Sequence, residues 1–280
     1  MTRRRLASLV AYGLLAAIII VYLFPFFWMV STAVKSRAEL YRYPPTVVPA
    51  EPSAEAFASV LAHRGYTRLL ANSLVISLAA VVGALAASLL IAYPLTRMPV
   101  RPGFRRGLLG WILSLRFLPP IVVVVPWFDI VRGLGLYDTR QSLVLLYTVF
   151  SLPFAVWMLK GFLAEIPMEI EEAALVDGAT RLRAFFRILL PQLAPALLAG
   201  GVITFALTWS EFLFAFILTA SPSSQTFSIG VASLVTQFEI IWNDMAAAGT
   251  ISALVPVVLL LLGRRYVITA LTFGVIREKG

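Results

Sequence analysis

Glu171, Glu172 and Asp177 are the carboxylates whose spacing could serve a purpose. They lie in the run Glu172-Ala-Ala-Leu-Val-Asp177-Gly178-Ala179, which continues through Phe185, Ile188, Leu190, Pro191 and Pro195. The stretch is polar, punctuated by Gly and Pro, and flanked by long apolar segments. The chemistry open to it is recognition of something in the aqueous phase. Catalysis finds no constellation: His63 is the single His, so a Ser/His/Asp arrangement has little to draw on. There is no Cys for thiol chemistry or metal ligation. No G-x-x-x-x-G-K-[ST] phosphate loop occurs, so ATP used for work must be bound by a partner.

The local sequence predicts how these residues are held. Pro167 suits the first turn of a helix, and Glu169, Glu171 and Glu172 favour its positive end. Asp177-Gly178 reads as a stop and turn, with Gly supplying a positive φ. Thr180 caps a second helix running through Leu190. That helix sets Arg181, Arg183 and Arg187 towards water and Phe185, Phe186, Ile188 and Leu189 against bilayer or bundle. Pro191 and Pro195 are expected to redirect the chain afterwards. Ala173 and Ala174 keep the first helix thin, so another surface can approach it. From the residues alone, a plain helical connector and a docking element both remain open.

Composition fixes the class. Of 280 residues, 60% are hydrophobic and 13% charged, against roughly 45–50% and 25% in soluble chains. A soluble all-α protein would have to hide several apolar runs of about 20 residues, each long enough to cross a bilayer core. The expected fold is an all-α membrane protein with six spans: Leu6–Val34, Leu69–Leu95, Leu108–Val131, Ser142–Leu159, Leu193–Ala220 and Met245–Gly263. The runs are continuously apolar, which excludes the alternation of a barrel. Arg3-Arg4-Arg5 followed by an apolar run resembles a signal peptide, but the run is too long and is read as the first span. Pro25, Pro94, Pro119, Pro120, Pro126, Pro153 and Pro256 mark expected kinks.

Orientation follows from the basic residues. With the N-terminus inside, fifteen Lys and Arg fall on the cytoplasmic side and seven outside. Both termini and the Glu172 loop are then cytoplasmic. The same distribution, with anionic headgroups, accounts for the net charge of +9, and nucleic acid is not an expected partner.

The motif E-A-A-x-x-D-G-A-x5-F-x-x-I-x-L-P-x-x-x-P, met at Glu172, Ala173, Ala174, Asp177, Gly178, Ala179, Phe185, Ile188, Leu190, Pro191 and Pro195, resembles the loop signature of the membrane subunits of binding-protein-dependent ABC importers. The likeness extends over nearly the whole chain and points to the shorter permease of the maltose/trehalose class. Tyr43-Pro-Pro, Val48-Pro49, Asn72-Ser73, Ala92-Tyr93 with Arg97, Gly133 to Thr139, Thr208 to Phe214 and Leu271 to Gly274 carry it. Ser210 stands where Asn is common, and the ending Val275 to Gly280 is slightly long.

The resemblance implies a division into a first span and external loop (1–68), a permease domain (69–264) and a cytoplasmic tail (265–280). It implies that Glu171, Glu172, Ala173, Ala174, Asp177, Gly178 and Ala179 form a coupling helix, between the fourth and fifth spans, that sits in a groove of an ATPase subunit. The implied partners are two ATP-binding subunits carrying ATP and Mg, a second homologous permease, and an extracytoplasmic solute-binding protein, in a bacterial or archaeal cytoplasmic membrane. This chain itself would be non-catalytic, would bind no cofactor, and would work by alternating access. The segment Ser221–Asp244 resembles the loop that probes the binding protein's cleft.

Charges within spans need partners or a cavity. Arg116 could line the translocation path or bond carbonyls freed at Pro119-Pro120. Glu211 is expected at a different depth. Trp209, with Ser210 and Glu211, is the candidate pathway corner, since Trp209, Phe205, Phe212 and Phe214 could stack on sugars as well as pack. Asp129 is read as solvated. Two other classes remain in view. An ion-coupled secondary transporter needs facing ionisable groups and inverted repeats, and the two halves share no motif. A scaffold that moves nothing would leave the Glu172 loop only an anchor.

Overall fold

A computed structural model describes residues 3–63 and 65–273. Arg64, Gly274 and the tail with Arg277 and Lys279 lie outside the described residues. Regular structure among the described residues is helical, apart from an isolated bridge between Val235 and Ile240. The principal helices are α1 (Arg3–Ala33), α2 (Tyr66–Arg97), α3 (Pro102–Ser114), α4 (Pro120–Gly133), α5 (Arg140–Glu165), α6 (Met168–Val176), α7 (Leu190–Trp209), α8 (Leu213–Leu218) and α9 (Trp242–Phe273). Among the described residues, five helical runs are long and apolar enough to cross a membrane, or six if α3 and α4 form one broken span.

Three places depart from the expected spans. The third, expected over Leu108–Val131, is two helices bent by 96°. Pro119 and Pro120 lack N–H donors and hold the residues before them out of the α region. Accordingly Leu118 (ψ 125°) and Pro119 (ψ 133°) are extended. The fifth, expected over Leu193–Ala220, ends at Trp209 and resumes as the short α8. Before it, the chain does not redirect at Pro191 and Pro195. One helical run extends from Arg181 to Trp209, because Phe185–Leu189 winds as a wider π turn. Proline clashes with the carbonyl four residues back, and for Pro191 that is Arg187, inside the widened turn.

The chain divides into two compact units. In the first, residues 1–67 with 230–254, the apolar side chains of α1 from Val10 to Phe27 are exposed. The connection after α1 folds on itself: Ser31 Oγ donates to Val47 O at 2.7 Å, and Thr46 Oγ1 donates to Glu39 at 2.6 Å.

The second unit, residues 68–229 with 255–280, carries the apolar core. Ile76 of α2, Val124 and Val131 of α4, Leu143 and Leu146 of α5 and Phe214 and Leu218 of α8 fill one end. Ala92, Leu159, Leu163, Leu189 and Leu193 fill the other. These side chains fix α2, α5 and α7 side by side, and everything described next is mounted on them.

Candidate functional site

Helix α6 is built to present one face. Its buried side is Glu171 and Ala174, three residues apart. Met168, Glu169, Glu172, Ala173 and Val176 share the opposite side and are exposed, Val176 at 88%. Pro167 sits just before the first turn, and Glu169 and Glu171 lie within it, where the helix dipole favours acids. The helix ends in a Schellman turn. Gly178 (φ +82°) donates to Leu175 O at 3.1 Å, and Ala179 donates to Ala174 O at 2.9 Å. Thr180 then caps the next turn by accepting from Arg183 N.

The buried face is anchored by polar groups. Glu171 accepts a hydrogen bond from the Tyr93 hydroxyl, and its other oxygen is 3.8 Å from Arg97 Nε. Arg97 is 5% exposed and Glu171 4%. The Arg97 fork also donates to Leu163 O at 2.8 Å and Ile166 O at 2.7 Å. It thereby satisfies carbonyls at the end of α5 that have no helical partner. Phe185 closes the anchor, its ring edge-on to Tyr93 at 5.0 Å. The last turn of α2, the end of α5 and the start of α6 are thus one polar joint inside an apolar cluster.

A second locus lies where α7 breaks. Both oxygens of Glu211 accept from Phe214 N, at 3.0 and 3.1 Å, and Oε2 also accepts from Ala215 N at 3.4 Å. The Tyr147 hydroxyl donates to Glu211 at 2.8 Å. The carboxylate therefore caps α8 and bridges it to α5. Beside it is a cavity of about 310 Å³ whose lining includes Arg116, Tyr147, Thr208, Glu211 and Phe214. Arg116 and Glu211, expected at different depths, line this one space. The guanidinium of Arg116 makes no hydrogen bond or ion pair with another described residue, so it does not pin the Pro119-Pro120 kink. Trp209 does not line the cavity. Its indole stacks on Phe205 at 5.5 Å, 5% exposed, beside Val81. Ser210 is exposed and bonds back to Ala206 O at 2.8 Å.

At the far end of α2 a third set of side chains holds the segment after α8. Asn72 donates to Pro222 O at 3.1 Å and Gln225 O at 2.8 Å, and Ser73 Oγ accepts from Phe227 N at 2.7 Å. Asp138, itself at φ 58°, accepts from Ala220 N at 2.8 Å, Ser221 N at 3.0 Å and Ser224 Oγ. Burial pushes its acid upward, but the Ser224 hydroxyl and the Ala220 and Ser221 amides hold it down at about 2.

The acids singled out by sequence separate into roles: Glu171 faces inward while Glu172 and Asp177 face out. Sequence reasoning gave no role to Tyr147, Asp138 or the Tyr93–Arg97 pair. An ionisable side chain one turn from the end of a span was the available signal for Arg97. Tyr147, within an apolar run, offered none.

Residues 84–273 match the family described as "Binding-protein-dependent transport system inner membrane component". The inner membrane ABC transporter permease protein YcjP of Escherichia coli is 34% identical over 274 residues, 97% of each chain. The sulfoquinovosyl glycerol transport system permease protein SmoH of Agrobacterium fabrum is 31% identical over 252 residues, 90% of this chain and 88% of that one. Among solved structures, a chain of a bacterial ABC transporter involved in import of the acidic polysaccharide alginate superposes with a TM-score of 0.78. It has 20% identity and covers 95% of this chain and 98% of that chain.

Proposed function

Because the chain belongs to the family of binding-protein-dependent transport system inner membrane components, we propose that α6 is where it takes up the work of ATP hydrolysis. The observation that carries this is the two-sidedness of α6. Its inner face is tied to α2 and α5 through Glu171, Tyr93 and Arg97. Its outer face offers Glu172, Ala173, Val176 and Asp177 to a partner. A groove that moves this helix moves α2 and α5 with it.

The basic residues orient the α6 end and both termini to the cytoplasm. An ATP-binding subunit meets Glu171 to Ala179 there, with Glu172 rather than the buried Glu171 touching it. ATP and Mg belong to a pair of such subunits, and this chain contributes no catalysis. The exposed apolar length of α1 suits lipid and a second, homologous permease. Residues 1–68 supply that contact, 69–264 the transport core and 265–280 the tail. On the outer side, a solute-binding protein docks over Ser221–Asp244, whose first residues Asn72, Ser73 and Asp138 hold in place. The solute we infer is a carbohydrate or related polar solute, since SmoH is named for sulfoquinovosyl glycerol transport. Arg116 and Glu211 line its path.

The Cys-free sequence makes the test direct. Val176→Cys supplies a unique thiol on the outer face of α6. Cross-linking to the ATP-binding subunit, with loss of binding-protein-stimulated ATP hydrolysis on cross-linking, is the expected result. Labelling of that thiol by a soluble maleimide at full rate in the assembled, working complex would overturn it.

A further inference from the structure

We propose that the cavity beside the break in α7 receives the acid group of an anionic carbohydrate, and that Arg116 binds it; this rests on the importer reading above. Arg116 is set apart from the other cations of the chain. Arg97, buried at the end of α2, spends its guanidinium on Leu163 O and Ile166 O, whereas Arg116 occupies the 3-10 turn at the corner between α3 and α4 and meets no such acceptor among the described residues. Arg116, itself an exposed residue, lines a cavity otherwise walled largely by Leu118, Phe150, Leu207 and Phe214.

The two charged groups that line it, Arg116 and Glu211, do not pair with each other. Glu211 is the one acid among the lining residues, and it is committed elsewhere. Its two oxygens already take the Phe214 and Ala215 amides and the Tyr147 hydroxyl. Thr208 spends its proton on Thr204 O and Phe205 O. Arg116 therefore brings to the cavity lining a five-donor planar cation with no protein acceptor among the described residues. A cation inside a span persists where it lines a pathway or meets a counter-charge. A neutral sugar offers hydroxyls, which pair weakly with guanidinium. A carboxylate, sulfonate or sulfate on the sugar ring offers two oxygens in the fork geometry that Arg matches and Lys does not. The apolar wall then suits the ring face.

The test is uptake by the reconstituted complex, with its ATP-binding subunits, second permease and binding protein, of radiolabelled matched pairs. Disaccharides of glucose and galactose are compared with their uronic-acid counterparts. ATP-dependent uptake is expected to favour the acidic members. Arg116→Gln should lower the acid-to-neutral ratio on the order of tenfold, the scale of one lost charge-assisted pair. Arg116→Lys should restore part of the ratio, a response that mere packing damage would not give. Preference of the wild type for neutral members, or an unchanged ratio in Arg116→Gln, overturns the proposal and leaves the importer reading intact. Absence of ATP-dependent uptake of either kind overturns both. Should Arg116→Gln fail to assemble, the wild-type preference and the Lys variant still decide.

Discussion

The guanidinium of Arg97 lies 3.8 Å from the carboxylate of Glu171, and the two are the buried root of α6. One comes from the last turn of α2 and the other from the first turn of α6, 74 positions later in sequence. A buried pair of this kind adds modest net stability but is costly to break on one side only, since the remaining charge is stranded. Its consequence is mechanical. The helix that faces outward is tied at its buried side to the span that carries Tyr93 and Arg97.

Glu171→Ala should therefore cost about 3–5 kcal/mol, the range for removing one partner of a buried pair, read as a lower midpoint of thermal unfolding in detergent. Glu172→Ala, on the exposed face, should change stability by no more than about 0.5 kcal/mol yet reduce binding-protein-stimulated ATP hydrolysis. If the two substitutions destabilise equally, the division of α6 into an anchored and a presenting face is wrong.

Gly178 offers a cleaner probe of the turn. A Cβ added there meets nothing within 4 Å, yet φ is +82°. Gly178→Ala should cost about 1–2 kcal/mol through backbone strain alone, and Gly178→Asn less, because Asn tolerates the left-handed region. Hydrogen exchange at the Gly178 and Ala179 amides, the two donors of the turn, reports it. Equal exchange in all three chains would show that the turn does not depend on Gly.

The cap on α8 can be dissected with two positions. Tyr147→Phe removes one donor to Glu211 and should cost about 1 kcal/mol. Glu211→Ala strands the Phe214 and Ala215 amides together with the Tyr147 hydroxyl, so it should cost more, roughly 1–3 kcal/mol. Combining them tests the coupling: the double variant should fall short of the sum. Strict additivity in chemical denaturation would mean that Tyr147 and Glu211 do not act as a unit.

Asp138 gives the outer segment a pH dependence. Its acid is lowered to about 2 from an ordinary value of 3.8. A depressed acid stabilises fully above its unfolded value and loses that contribution as pH falls through the folded one. The Ala220 to Ser224 segment should thus stay protected down to about pH 4 and loosen progressively from there to about pH 2. The group is largely solvent-screened, so the effect should stay within about 1 kcal/mol. Asp138→Asn should flatten the dependence, followed by exchange of the Ala220 and Ser221 amides. A segment equally protected in both chains across that window would remove Asp138 from this role.

Much of this protein was legible in order along the chain. Continuous apolar runs must hide their backbone bonds inside helices, and a Gly after Asp177 must end one. Those are local requirements, so Glu172, Asp177, Gly178 and the Thr180 cap could be read directly. The proline-driven break at Leu118–Pro120 was legible as a kink but not as a 96° corner, because the bend angle is set by what the second half packs against. The π turn at Phe185–Leu189 was not legible, since the same prolines are equally compatible with redirecting the chain.

Sequence by itself determined the class, the apolar runs and the acid helix after Pro167, because hydropathy, helix period and caps act between near neighbours. Tertiary structure decided which acid of the Glu171-Glu172 pair is anchor and which is surface. It decided that Glu211 accepts hydrogen bonds from Tyr147 and the α8 amides, that Trp209 packs in the core, and that Arg116 lines the same cavity as Glu211. Those outcomes depend on partners distant in sequence: 64 positions for Tyr147 and Glu211, 78 for Tyr93 and Glu171, and 128 for Val81 and Trp209. No local pattern encodes which of several apolar helices will bring a hydroxyl or guanidinium within reach.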